Sequence, residues 1–113
     1  MSRRSAGAAR LVRAAPVFAA LGDQTRLALI ARLSTDGPQS IARLTRGSAL
    51  TRQAITKHLG VLADAGVVHD LWRGRERIFD LDPERLDDAR RCLDLISQRW
   101  DEALARLREI VEQ

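Results

Sequence analysis

The chain has 113 residues, is 45% hydrophobic and carries a formal net charge of +4 with a pI near 10.8, which bounds it to one small basic domain with a modest core. Its one cysteine excludes an intramolecular disulfide framework and a Cys-cluster zinc site, and fits a reducing, cytoplasmic setting. No apolar run approaches the ~20 residues of a membrane span, and the basic balance favours a polyanionic partner.

Residues 1–13 are small, basic and without periodicity, and read as a flexible arm ahead of one domain over 14–113. Arg10 and Arg13 break the alanine-rich run, which argues against a secretory signal. A short helix is expected from Ala15-Pro16 to Leu21, with proline in its first turn and Gly22 as its stop. Asp23 caps a helix over Gln24–Leu33, whose Leu27, Ile30, Ala31 and Leu33 are expected to supply core. Asp36-Gly37-Pro38 breaks the chain, and Ser40 caps a short helix from Ile41 to Arg46 that buries Ile41 and Leu44.

The stretch from Leu50 to Gly66 organises the rest. Thr51 is a good N-cap and Gly66 a natural stop. Between them Ile55, His58, Leu59 and Leu62 share one helical face, and Arg52, Gln53, Thr56, Lys57 and Gly60 share the other. Two readings suit that second face, a solvated surface and a reader of DNA. Arg forks onto guanine and Gln onto adenine, while Thr and Lys reach base edges or phosphates. No carboxylate interrupts the face before Asp64. With the short helix before it, the stretch forms a helix-turn-helix whose second helix enters the groove.

Val67–Trp72 reads as a strand, Arg73-Gly74-Arg75-Glu76 as a turn and Arg77–Leu81 as the returning strand, with Phe79 and Leu81 packing down. Arg73, Arg75 and Arg77 surround one glycine. A charged hairpin tip is often only solvated, but one joined to a helix-turn-helix suits a wing that grips the DNA backbone. Asp82-Pro83-Glu84 then opens a helix that no Gly or Pro interrupts before Gln113.

Leu86, Leu93, Trp100 and Leu107 form one row of a seven-residue repeat, and Ala89, Ile96, Ala103 and Ile110 the other, with Leu104 and Cys92 widening the seam. The helix either packs only on its own domain or pairs with a second copy. Its length beyond so small a core favours a homodimer through Leu86, Ala89, Leu93, Ile96, Trp100, Leu104 and Leu107. Charge divides accordingly. Gln39–Arg77 holds seven bases against three acids, and the chain from Pro83 onward six arginines against eight acids.

The order of elements resembles a winged helix-turn-helix of the ArsR/SmtB family: mainly α, with a small β-hairpin and a long C-terminal dimerisation helix. Phe18-Ala19-Ala20-Leu21-Gly22-Asp23-Gln24-Thr25-Arg26 looks like the family's opening pattern, with Gln24 where proline is usual. Leu50–Val68 looks like its recognition helix and first strand, and Arg73-Gly74-Arg75 with Phe79–Glu84 like its wing and exit. The resemblance implies a DNA-binding regulator, a repressor in most of the family, that binds an operator and acts on a signal the sequence does not name. Metal-sensing members carry Cys-x-Cys on the short helix or Asp and His pairs on the last. Ile41–Thr45 offers no ligand and Pro83–Gln113 no histidine, so the metal-independent branch is implied, with no cofactor.

Two further functions compete with a dimeric repressor. A helical protein-interaction module that has lost DNA binding would have no need of an acid-free recognition face. A one-cysteine redox repressor would need Cys92 exposed in an electropositive setting. No nucleophile-and-base arrangement, paired-carboxylate site or phosphate-cradling loop indicates an enzyme.

Overall fold

The computed structural model describes residues 3–112, with side chains from Gly7 onward. Helix α1 (Arg3–Leu21) and helix α2 (Gln24–Asp36) lead into a two-residue strand β1 (Gln39–Ser40). Helices α3 (Ile41–Thr45) and α4 (Arg52–Asp64) follow, then strands β2 (Val68–Arg73) and β3 (Glu76–Leu81), and finally α5 (Pro83–Glu112). The sheet is antiparallel in the order β1-β3-β2.

The caps expected from sequence close three of these helices. Asp23 Oδ2 accepts from Arg26 N at 3.0 Å, Ser40 Oγ from Arg43 N at 3.2 Å and Thr51 Oγ1 from Ala54 N at 3.1 Å. Asp82 Oδ1 accepts from Glu84 N at 3.0 Å at the start of α5. Each satisfies a helix donor that otherwise has no partner. Helix α4 ends in a paired turn: Val67 N donates to Leu62 O and Gly66 N to Ala63 O, with Gly66 at φ +78°. Leu62 and Val67, both fully buried, meet beneath that turn, which fixes the angle at which β2 leaves α4.

The core gathers Val17, Leu29, Leu33, Leu44, Ile55, Leu59, Leu62, Val68 and Phe79 from the helices and one face of the sheet. In α2 it is Leu29 and Leu33, one turn apart, that turn inward. Leu27 and Ala31, expected inside, lie at the surface, and Ile30 is half-buried. Strand β1 has no counterpart among the expected elements. Its two residues pair with Phe79 and Ile78, which gives the hairpin a third strand and buries Gln39 and Ser40.

The largest correction concerns the N-terminus. The arm expected over 1–13 is helical from Arg3, and the short helix expected from Ala15 is the end of one 19-residue helix with Pro16 inside it. Proline there forgoes one backbone bond, at a cost on the order of 3 kcal/mol. Packing on α5 offsets this. Gly7, Ala14 and Val17 are buried and Leu11 half-buried, all on one side of α1. A Cβ at Gly7 would stand 2.6 Å from Arg99 Nη2 and 3.2 Å from a Leu95 methyl, so α1 lies close along α5. Met1, Ser2 and Gln113, included in the expected arm and last helix, lie outside the described residues.

Candidate nucleic-acid interface

Helix α4 is fastened from behind. Ile55, Leu59 and Leu62 are buried, and His58 reaches back to the junction of α1 and α2. There Arg26 donates through Nε to the Ala20 carbonyl and through Nη1 to His58 Nδ1 at 3.4 Å, with Asp23 Oδ2 3.9 Å from the same ring nitrogen. The Arg26 backbone N–H, aided by the Arg26 charge, outweighs the opposing effect of burial and holds the Asp23 carboxyl below its ordinary value of 3.8. Arg32 of α2 forks onto the end of α3, Nη1 to Leu44 O at 2.7 Å and Nη2 to Arg43 O at 2.9 Å. The two helices of the helix-turn-helix are thus both pinned to α2.

The opposite face of α4 is open. Arg52, Gln53, Lys57 and Gly60 are exposed, and among the described residues no hydrogen bond or ion pair engages the first three side chains. The two threonines of the expected reading set differ. Thr51 Oγ1 serves as the cap, and the half-buried Thr56 donates its hydroxyl to Arg52 O at 2.8 Å. Their hydroxyls are committed to the helix, which leaves Arg52, Gln53 and Lys57 as the side chains with unused donors.

The hairpin turns through Gly74-Arg75 alone, with Gly74 at φ +63°, the conformation a two-residue turn of this kind requires of its first residue. The strands extend further into the expected turn than the sequence indicated, pairing Arg73 with Glu76. Arg73 and Arg75 are exposed at the tip. Arg77 is not at the tip: it pairs with Asp70 across the strands, and its guanidinium lies 4.9 Å above the Phe79 ring. It stiffens the wing that the other two arginines arm. Trp72, opposite Arg77, is 67% exposed, and the sequence reads it simply as a strand residue.

Ion pairing is uneven: it engages the arginines at the start of α5, but among the described residues not Arg99, Arg106 or Arg108 further along it. On α5, Arg85 lies beside Asp88, and Arg90 and Arg91 both pair with Asp87. On α3 and its C-cap, on α4 and at the wing tip, Arg43, Arg46, Arg52, Lys57, Arg73 and Arg75 enter no ion pair among the described residues.

The expected dimer seam divides in the same way. Ala89, at 6% exposure, lies in the chain's own core and Leu86 packs half-buried against it, so neither offers a partner much surface. Leu93, Ile96, Trp100, Leu104 and Leu107 are exposed, Trp100 at 64%. Cys92 turns inward, fully buried, with its thiol 3.6 Å from the Arg10 carbonyl. Among the described residues no three His, Cys, Asp or Glu side chains converge as metal ligands would, and no helix is long and apolar enough to cross a membrane.

A pinned helix-turn-helix with an open basic face, flanked by an arginine-tipped hairpin, defines a winged helix-turn-helix DNA-binding protein. A helix-turn-helix domain family model matches residues 21–70. The chain is 36% identical over 93 residues to the HTH-type transcriptional regulator Rv2034 of Mycobacterium tuberculosis, covering 82% of this chain and 83% of that protein. An ArsR-like transcriptional regulator from Rhodococcus sp. RHA1 superposes with a TM-score of 0.77 at 35% identity, covering 88% of this chain and 93% of the other. The homodimeric winged helix-turn-helix domain of Mb0332 from Mycobacterium bovis, a possible ArsR-family regulator, does so at 0.64 and 25% identity, covering 92% and 91%. The chain belongs to the ArsR family of winged helix-turn-helix transcriptional regulators.

Proposed function

We propose that the protein acts as a homodimeric repressor, reading an imperfect inverted repeat with one α4 helix per half-site. The observation that carries this is the pairing of two unsatisfied surfaces on one chain: the basic face of α4 and the wing, and the apolar stripe of α5. Arg52 and Gln53 read bases, Lys57 reaches bases or phosphate, Thr51 and Thr56 hold the helix start in shape, and Arg73 and Arg75 grip backbone, with Arg77 bracing the wing. Two copies joined through Leu93, Ile96, Trp100, Leu104 and Leu107 set half-site centres about 34–36 Å apart, or a multiple of that. The homodimeric M. bovis relative supports the assembly.

The test is a salt-varied gel shift on the DNA upstream of its own gene and on a random duplex of equal length. Arg52→Ala and Gln53→Ala are expected to cost roughly 1–3 kcal/mol on the specific site and to relax base preference, whereas Arg75→Ala weakens both duplexes and flattens the salt dependence. Equal weakening of both duplexes by Arg52→Ala would refute the division into reader and wing.

A further inference from the structure

A cleft of about 470 Å³ lies between α3 and the tip end of the wing strands, with Arg43, Arg46 and Ser40 on one wall and Arg73 and Glu76 on the other. Arg43 lies on α3 and Arg46 caps its C-terminal end three residues on, and Arg73 and Glu76 are cross-strand partners beside the Gly74 turn. Three guanidiniums thus share the cleft with one carboxylate, and none of the three is in an ion pair among the described residues. Three cations beside a single carboxylate leave net positive charge, and an anion between them relieves their repulsion. The cleft's walls are the helix that leads into α4 and the hairpin that leaves it, so an anion held there lies beside whatever α4 reads.

We propose that Arg43, Arg46 and Arg73 seat a phosphate of the DNA backbone, between the groove entered by α4 and the one reached by the wing. The guanidinium fork matches the phosphate oxygens in number and plane, and Glu76 opposes the phosphate. The proposal rests on the reading of α4 and the wing as a DNA interface and adds a contact from the first helix of the motif. Its role is to position the protein, since a phosphate carries no base identity.

The experiment measures binding of the full-length protein to its own upstream DNA and to a random duplex, across a series of NaCl concentrations. Each phosphate released lowers the slope of log K against log salt by about 0.9, so the double variant Arg43→Gln/Arg46→Gln is expected to lose about 1.8 in a dimer with two clefts. It should weaken both duplexes equally and keep their ratio, and Arg43→Lys/Arg46→Lys should restore the slope. Glu76→Gln should tighten both, an effect that loss of fold would not produce. An unchanged slope in the double variant with its circular dichroism melt intact overturns the proposal. So does inorganic phosphate raising the melting temperature of wild type but not of the double variant, at matched ionic strength, while the DNA slope stays the same; that assigns the cleft to a free anion. Wild-type protein that binds neither duplex overturns the DNA interface itself, a distinct outcome.

Discussion

Gly60 lies in the interior of α4, on its exposed face, where glycine is a poor helix former. A Cβ built there meets no atom within 4 Å, and its backbone is not among the positive-φ glycines. Gly60→Ala therefore neither clashes nor gains packing, and only the backbone preference changes. Alanine is favoured over glycine in a helix interior by about 0.8–1.0 kcal/mol. For a chain of 113 residues that raises the melting temperature by roughly 3–4 °C. Thermal denaturation at fixed protein concentration reads it directly. The same methyl would face the duplex on the side that carries Arg52, Gln53 and Lys57, where glycine lets a backbone approach a ligand closely. The expected result is a more stable protein with weaker DNA binding. A melting temperature that stays or falls refutes the helix argument, and a stabilised variant with unchanged affinity removes close DNA approach as the reason for glycine.

Trp100→Ala and Leu93→Asp should each yield monomer in sedimentation and lose operator binding while the N-terminal helices stay folded, since a monomer engages each half-site separately; an unchanged dimer in both removes α5 from the interface. Cys92→Ser places a hydroxyl in the fully buried thiol site, with the Arg10 carbonyl as acceptor, and should cost about 1–2 kcal/mol in urea denaturation while leaving the response of DNA binding to peroxide unaltered. Peroxide that releases wild type but spares the serine variant would make the chain a one-cysteine switch. The lowered folded pKa of Asp23 means that its ionised carboxylate stabilises the fold above about pH 4 and that this contribution is lost as pH falls through the folded value. Asp23→Asn should accordingly flatten the fall in melting temperature as pH drops below about 4; parallel acid limbs for the two proteins would refute the assignment.

Much of the interface is legible in the sequence because its signals are local. A cap needs one side chain and a backbone N–H three residues on, which is why Asp23, Ser40 and Thr51 announce their helices from residue order alone. The division of α4 into an apolar and a basic face follows from 3.6-residue periodicity, and Gly74 marks where the hairpin turns, although the pairing of Arg73 with Glu76 that shortens the turn to two residues is seen only in the structure. Arg43 and Arg46 are visible as bases, but nothing in the sequence sets them opposite Arg73.

By itself, then, the sequence determined the helix-turn-helix, the hairpin, the long last helix and the asymmetry of charge, all of which depend on neighbours within a turn or two. Tertiary structure decided which of several apolar residues met a partner. It turned Leu29 inward and Leu27 outward, drew Ala89 and Cys92 into the core, and paired β1 with β3 across nearly forty residues of chain. It also made a helix of the expected arm. Gly7, Leu11 and Ala14 recur at helical spacing, but so short a small-residue row is marginal alone, and it is Leu95 and Arg99 of α5 that give it a surface to pack on. Arg77 followed the same logic: its charge is plain in the sequence, and the cross-strand approach of Asp70 decided that it braces the wing.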